Sequence, residues 1–163
     1  MEDTLSADQD FNLWVLLVQT RDAIFKVREK ELNQYGITTM ESGVLFIVQA
    51  IGAEATPAEI SRWIFREHHT VSVLLGRMEK KGLIRKTKDL AKKNLVRVSL
   101  TEKGKQAYDN SIRRELLHQI MATLSEEERQ QLMSYLNRLR GRALAEIKLG
   151  HKLPFPPSAA LQA

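Results

Sequence analysis

A helix predicted over residues 69–81 separates its side chains into an apolar face and a polar face. At about 100° per residue its apolar side chains turn inward together; they are Val71, Leu74, Leu75 and Met78. The outward face carries His69, Thr70, Ser72, Val73 and Arg77. Hydroxyl groups donate or accept hydrogen bonds at base edges and phosphates, and a guanidinium fits guanine or phosphate. These five outward residues are therefore candidates to contact double-stranded DNA.

Gly76 lies on the same outward face of this predicted helix. A glycine inside a helix costs roughly 1 kcal/mol relative to alanine. We hypothesise that the DNA backbone approaches the helix at Gly76, and a tolerated surface glycine is the alternative.

A basic hairpin is predicted directly after this helix. Gly82 ends the helix, and two short strands are expected at 83–88 and 95–100, with a polar tip between them. We expect Asp89 in the tip to brace it by pairing with a nearby lysine. The basic side chains of the hairpin are Arg85, Lys86, Lys88, Lys92, Lys93 and Arg97. Five of the hairpin residues are candidate DNA contacts: Arg85, Lys88, Lys92, Lys93 and Asn94.

The charge distribution favours the same partner. The chain carries 25 Lys and Arg against 20 Asp and Glu, a net charge of +5. Residues 62–97 hold 11 basic and 3 acidic residues, a local net charge of +8, while the remaining residues carry a net charge of −3. Such clustering is expected of a surface that binds phosphates. A solvated lysine surface, which also protects an exposed hairpin from aggregation, is the alternative.

The composition excludes several other classes of site. The chain has no cysteine, which excludes disulfides, thiolate metal sites and thiol redox sensing. It has no glycine-rich phosphate loop and no HExxH pattern, so we expect no catalytic residues, no cofactor and no bound metal. The acidic N-terminus is unlike a secretory signal, and the longest apolar run, at 13–18, is too short to span a bilayer. We therefore expect a cytoplasmic protein without a membrane partner.

Capping signals divide the rest of the chain into helices. A first helix is predicted over residues 8–35. Capping boxes are predicted at Thr38 and Glu41 for the second helix and at Ser125 and Glu128 for the last. A third begins after Thr56, with Pro57 at its first position and Glu59 completing a capping box.

Two further helices are predicted after the hairpin, over residues 101–124 and 125–149. The predicted fold is therefore mainly α with a small β-hairpin wing, a winged helix-turn-helix with long terminal dimerisation helices. We divide the chain into an N-terminal dimerisation helix, a DNA-binding domain, C-terminal dimerisation helices and a flexible proline-containing tail. These segments span residues 1–35, 36–102, 103–150 and 151–163.

Apolar residues on the terminal helices predict a homodimer. A winged-helix unit folds without long flanking helices, so apolar stripes beyond it indicate a partner, most simply a second copy of the chain. In such a dimer the two copies of the helix at 69–81, the recognition helices, would lie about one DNA turn apart, on half-sites roughly 10 base pairs apart. The alternative is packing of these residues within one chain. The candidate interface residues are Phe11, Trp14, Leu17, Leu116, Ile120, Leu124, Leu132, Leu136 and Leu139.

Four short strings resemble those of the multiple-antibiotic-resistance regulator (MarR) family: PAEI at 57–60, TVS at 70–72, RMEKKGLI at 77–84 and LTEKG at 100–104. The resemblance implies a homodimeric winged-helix transcription regulator, commonly a repressor that a small, often aromatic, ligand releases from DNA. The chain departs from the family at the wing tip. Where the family often has Asp-x-Arg, this chain has Lys92, Lys93 and Asn94.

The resemblance also implies a ligand pocket where the dimerisation helices meet the winged domain. Candidates to line it are Trp14, Phe25, Phe46, Trp63 and Tyr108, with Arg21 to pair with a carboxylate or phenolate. Ordinary core packing is the alternative for each aromatic residue.

The function predicted from the sequence is a homodimeric, sequence-specific transcription regulator. We expect it to act as a repressor, with double-stranded DNA, a second copy and possible small-molecule effectors as partners. The alternative from a different class is a winged-helix module that binds another protein.

Overall fold

A computed structural model describes residues 8–93 and 95–147. In this part of the chain there are seven α-helices and two β-strands. They are α1 (Gln9–Asn33), α2 (Thr39–Ile51), α3 (Pro57–Trp63), α4 (His68–Lys80), β1 (Ile84–Asp89), β2 (Leu95–Leu100), α5 (Glu102–Ser111), α6 (Glu115–Met121) and α7 (Glu126–Glu146). The predicted tail at 151–163 lies outside the described residues. Among the helices of the described part, none is long and apolar enough to cross a membrane.

Two of the predicted capping boxes begin their helices as expected. At the start of α2, the Thr38 hydroxyl accepts the Glu41 amide at 3.2 Å, and the Glu41 carboxylate accepts the Thr38 amide at 2.9 Å. Ser125 and Glu128 make the same exchange at the start of α7, at 3.2 and 2.7 Å. Because each box satisfies amides that the first helical turn leaves open, the local sequence is enough to place these helix starts.

The capping box predicted for α3 is wrong in one half. Thr56 does cap the helix, since its hydroxyl accepts the Glu59 amide at 3.2 Å, and Pro57 is the first residue. The Glu59 carboxylate instead accepts the Trp63 indole N–H at 3.1 Å and pairs with Arg62. Arg62 and Trp63 lie three and four residues later, on the same side of the helix, and offer donors that compete with the backbone amide.

A single hydrophobic core joins the end of α1 to α2, α3, α4 and the hairpin, which together form the winged part of the chain. Its fully buried members include Leu32 of α1, Leu45 of α2, Ile60 of α3 and Leu75 of α4, each at most 1% exposed. Val98 brings β2 into the same core. The core therefore sets the position of α4 relative to both the long first helix and the hairpin.

The two strands form an antiparallel hairpin in which Ile84 pairs with Leu100 and Asp89 with Leu95. The amide of Val98 donates to the carbonyl of Ala55 at 2.8 Å, which attaches β2 to the segment between α2 and α3. Strand β2 spans the predicted residues, and β1 starts and ends one residue later than predicted. The hairpin is thus anchored at its base.

The single helix predicted over residues 101–124 is wrong. The structure has two helices there, α5 and α6, and Arg114 between them adopts a left-handed backbone conformation with φ of 52°. Periodicity did not reveal this break because the segment contains no proline and its one glycine, Gly104, lies in the first turn of α5. The reason for the break is a contact from α1.

Arg28 and Glu31 of α1 form an ion pair that bridges the break. Their side chains are 12% and 6% exposed. The Arg28 guanidinium donates to the carbonyl of Ser111 at the end of α5, and the Glu31 carboxylate accepts the amide of Leu116 at 3.0 Å in the first turn of α6. The pair thus binds backbone groups that two separate helix ends leave open.

The environment of Glu31 lowers the pKa of its carboxyl. Burial by itself raises this pKa, but hydrogen bonds from the Leu116 amide and Arg28, together with the Arg28 charge, outweigh it and bring the pKa below the ordinary value of 4.5. A carboxyl whose pKa is lowered on folding stabilises the fold above its unfolded pKa. That contribution is lost as pH falls through the folded pKa.

We predict that Glu31→Gln lowers the free energy of unfolding by about 3 kcal/mol at neutral pH, because it leaves a buried guanidinium without its counter-charge. The loss should shrink as pH falls below the ordinary carboxyl pKa of 4.5. Urea denaturation at fixed protein concentration measures both effects.

The matched control is Glu146→Gln, which breaks the exposed Arg142–Glu146 pair of α7. It should change stability by no more than about 0.5 kcal/mol. Equal losses in the two variants would show that the pair across the α5–α6 break contributes nothing special.

Candidate nucleic-acid interface

Helix α4 turns an apolar face into the core and a mostly polar face to solvent. Val71, Leu75 and Met78 are at most 1% exposed. The predicted outward residues are all exposed: His69, Thr70, Ser72, Val73 and Arg77. A methyl group added at Gly76 would meet nothing within 4 Å in the described structure, so this face is open to a partner.

The turn between α3 and α4 is held by two hydrogen bonds. The Ser61 hydroxyl donates to the Arg66 carbonyl at 2.6 Å, and the Arg66 amide donates to the Ser61 carbonyl at 3.0 Å. Between them Phe65 has a φ of 55°, a conformation that non-glycine residues rarely adopt. The sequence did not indicate this feature, because nothing local to a phenylalanine favours the left-handed region. The turn sets the angle at which α4 leaves α3.

The C-terminal end of α4 is tied to α2 by an ion pair. The Lys81 ammonium lies 2.7 Å from the Glu41 carboxylate, the same group that caps α2. Glu41 is 3% exposed and Lys81 is exposed. Lys81 is one of the basic residues of the segment 62–97, but its ammonium pairs with Glu41 and so fixes the end of α4.

Glu79 clamps the wing to α4. Its carboxylate lies 3.0 Å from the Lys86 ammonium and accepts the Lys86 amide at 3.1 Å. These two contacts lower the pKa of Glu79, the hydrogen bond from the Lys86 side chain most of all. Lys86, in β1, therefore positions the hairpin relative to the outward face of α4.

The brace of the wing tip differs from the expected one. Asp89 pairs with Arg97 at 3.5 Å rather than with a lysine, because Arg97 lies on the paired strand, close to Asp89. The Arg97 guanidinium also donates to the Ala53 carbonyl at 2.8 Å. Its side chain is only 20% exposed, so Arg97 attaches the wing to the turn after α2.

Four candidate cations of the wing are exposed: Arg85, Lys88, Lys92 and Lys93. Asn94, the fifth candidate, lies outside the described residues. Leu90, which was not predicted to contact DNA, is exposed beside them at the tip. The sequence feature that could have indicated Leu90 is that it is a large apolar residue within an otherwise polar hairpin tip.

The residues suggested to line a ligand pocket contact different neighbours. Phe46, Trp63 and Tyr108 pack against the hydrophobic core. The guanidinium of Arg21 lies 4.7 Å from the centre of the Phe25 ring. The remaining candidate, Trp14, packs against Phe11 with ring centres 5.6 Å apart and is itself 58% exposed.

Apolar side chains of α1 and α7 line an open groove of about 600 Å³. Arg138 and Arg142 border it, and its apolar lining consists of Leu13, Leu17, Leu132, Tyr135, Leu136 and Leu139. Of the candidate dimer residues, five are exposed: Phe11, Trp14, Leu132, Leu136 and Leu139. The others are half-buried: Leu17, Leu116, Ile120 and Leu124.

Comparison with known proteins supports the same architecture. Residues 35–93 match the sequence profile of the MarR family. The HTH-type transcriptional regulator YsmB of Bacillus subtilis (strain 168) is 31% identical over 109 residues, which cover 65% of this chain and 74% of YsmB. The chain belongs to the MarR family. It is a transcription regulator with a winged helix-turn-helix, which confirms the fold class and the family predicted from the sequence.

Solved structures of other transcription regulators share the fold. The organohalide-sensing RdhR transcriptional regulator, solved with 2,4-dichlorophenol bound, is 31% identical, with a TM-score of 0.86. The alignment covers 96% of this chain and 94% of that protein. Staphylococcus aureus MepR in complex with DNA is 24% identical, with a TM-score of 0.73 over 83% of this chain and 99% of MepR. The likeness to MepR shows the fold alone.

We predict that Gly76→Ala separates stability from DNA binding. The added methyl group has room in the protein, so the free energy of unfolding should rise by up to about 1 kcal/mol. If the DNA backbone approaches Gly76, the methyl group should weaken DNA binding roughly tenfold. Chemical denaturation and fluorescence anisotropy with a labelled duplex measure the two effects.

Gly43→Ala is the matched control, because Gly43 also lies within a helix and a methyl group there meets nothing within 4 Å in the described residues. It should raise stability without affecting DNA binding. Unchanged binding by Gly76→Ala would place the DNA backbone elsewhere.

Proposed function

We propose that this MarR-family regulator is a homodimeric repressor that binds a near-palindromic operator and is released by a small aromatic ligand. The observation that carries the proposal is the exposed polar face of α4, which Glu79 and Lys86 hold in a fixed relation to a basic wing. A helix of this kind fits the major groove, and a basic hairpin beside it fits the DNA backbone.

The contacts to DNA divide into two kinds. Thr70, Ser72 and Arg77 are assigned to base edges and nearby phosphates, and Val73 offers an apolar surface of the kind that fits a thymine methyl group. His69, in the first turn of α4, is assigned to a phosphate. The exposed wing cations, with Asn94, are assigned to the backbone. MepR, which shares the fold, was solved in complex with DNA, and this supports DNA as the partner.

The dimer is proposed to form through the apolar surfaces of α1 and α7. Eleven large hydrophobic residues of these two helices and the residue after them are 39–59% exposed, more apolar surface than isolated side chains account for. They are Phe11, Leu13, Trp14, Leu16, Val18, Leu132, Met133, Tyr135, Leu136, Leu139 and Ile147. In this proposal the chain divides as the sequence suggested, into residues 1–35, 36–102, 103–150 and 151–163.

A small aromatic effector is the proposed signal. The support is the likeness to RdhR, which was solved both with 2,4-dichlorophenol and without ligand. In this chain the proposed anion partner is Arg21, which already lies over the Phe25 ring. The other proposed lining residues are Trp14, Phe46, Trp63 and Tyr108. Calorimetric titration with chlorinated phenols tests the class of ligand.

We predict that Arg77→Ala and the double variant Lys92→Ala/Lys93→Ala both weaken binding to a duplex selected by the protein from a random pool. Arg77→Ala should reduce affinity by about 1–3 kcal/mol and relax specificity at one base pair if it reads a guanine. The wing variant should weaken binding to all DNA sequences alike. It should also reduce the slope of log binding constant against log salt concentration by about one unit per lysine.

Gel-shift titrations at several salt concentrations make both measurements. Gln130→Glu, on the exposed surface of α7, is the control and should bind as the wild type does. If the wild type selects no duplex at all, the winged helix serves a protein partner instead. If it selects one and neither variant binds more weakly, the face assigned to DNA is wrong.

We predict that Leu136→Glu and Leu139→Glu convert the dimer to a monomer, because each places a carboxylate in the apolar groove between α1 and α7. Both residues are at least 42% exposed in the single chain, so the folded protomer should survive. Analytical ultracentrifugation measures the oligomeric state, and operator binding should weaken in parallel. Gln130→Glu adds the same charge on the opposite side of α7 and should remain dimeric. Dimers of unchanged strength in both leucine variants would place the interface elsewhere.

A further inference from the structure

Leu90, at the tip of the wing, is 83% exposed, the highest value among the exposed large hydrophobic side chains of the described residues. It opens a short 3-10 turn, Leu90–Lys92, that connects β1 to β2. Its side chain therefore makes little use of the protein's own core. An exposed leucine at the end of a hairpin is the kind of apolar side chain that architectural proteins insert between bases.

The tip that carries Leu90 is held in place by its neighbours. The Asp89 carboxylate accepts the Ala91 amide at 3.1 Å and caps the 3-10 turn. The other oxygen of Asp89 lies 3.5 Å from Arg97, and Arg97 donates to the Ala53 carbonyl at 2.8 Å. This chain of contacts runs from the tip to the turn after α2. The backbone on both sides of Leu90 is thus tied to the turn after α2, so insertion of the side chain would require little further ordering of the tip.

The charge around Leu90 selects the class of partner. Lys88, Lys92 and Lys93 are all exposed within three residues of it. Several cations beside an apolar side chain repel a basic surface and gain nothing from a purely apolar one. They complement DNA, in which two rows of phosphates flank sugars and bases. Apolar wedges such as leucine are inserted between base steps from the minor groove, where they partly unstack the bases and bend the duplex.

We propose that Leu90 is an apolar wedge that the wing inserts into the minor groove of DNA, while the neighbouring lysines contact the flanking phosphates. This inference rests on the proposed DNA-binding function and deepens it, because it adds a contact that depends on the shape and deformability of the DNA. The wing then contributes to sequence preference at flexible base steps as well as to non-specific affinity.

The test compares Leu90→Ala with Leu90→Met on a duplex that the wild type has selected from a random pool. Leu90→Ala should bind about tenfold more weakly, because a buried leucine side chain is lost from the complex. Leu90→Met keeps the apolar bulk and should bind within about threefold of the wild type. The salt dependence should be unchanged in both variants, in contrast to Lys92→Ala/Lys93→Ala, because no charge is removed.

Two further measurements report the groove directly. Energy transfer between dyes at the duplex ends should show a smaller bend with Leu90→Ala than with the wild type. Replacing adenine by 2,6-diaminopurine beneath the wing adds an amino group to the minor groove and leaves the major groove unchanged. This replacement should weaken DNA binding by the wild type and leave DNA binding by Leu90→Ala unchanged.

Each outcome decides the inference. Equal affinity and equal bending of Leu90→Ala and the wild type overturn the wedge and leave the proposed DNA-binding function intact. A change in self-association with unchanged DNA binding assigns the tip to a protein contact and also overturns it. A wild type that selects no duplex overturns the proposed function and the wedge together. Because Leu90 is so exposed, its variants should unfold at the wild-type temperature, and a thermal melt verifies this.

Discussion

The buried pair formed by Arg28 and Glu31 joins the long first helix to the segment between α5 and α6. Charged groups with little solvent exposure need partners. Arg28 and Glu31 pair with each other and also bind backbone groups at the end of α5 and the start of α6. The pair lies on α1, whose other end carries exposed apolar side chains. This contact and the hydrophobic core together set the orientation of α1 relative to α4 and the hairpin. In the proposed dimer that orientation sets the spacing of the two copies of α4.

The basic residues of the winged part fall into an inner set and an outer set. Lys81, Lys86 and Arg97 contact Glu41, Glu79 and Asp89, and in doing so they fix both ends of the recognition surface. Lys88 and the two lysines of the tip remain exposed. The net charge of residues 62–97 thus overstates the number of cations that are available to bind DNA, because three of them are paired with carboxylates that position α4 and the hairpin.

Predictions from local patterns were mostly confirmed, and those that needed distant partners were not. Thr38 and Ser125 cap their helices because a hydroxyl and a carboxylate three residues apart are within reach of the backbone amides whatever the rest of the chain does. The break at Arg114 could not be predicted in this way. It depends on Arg28 and Glu31, more than eighty residues earlier in the chain. The brace between Asp89 and Arg97 likewise required the strand register.

The sequence by itself determined the order of elements, the inward and outward faces of α4, the basic character of the hairpin and the membership of the MarR family. Each depends on residue type and short spacing. Only the tertiary structure decided which cations pair with carboxylates, where the helix after the hairpin divides, and that the Leu90 side chain is exposed at the tip. These features depend on which side chains from separate segments come within hydrogen-bonding distance, and the folded chain alone establishes those distances.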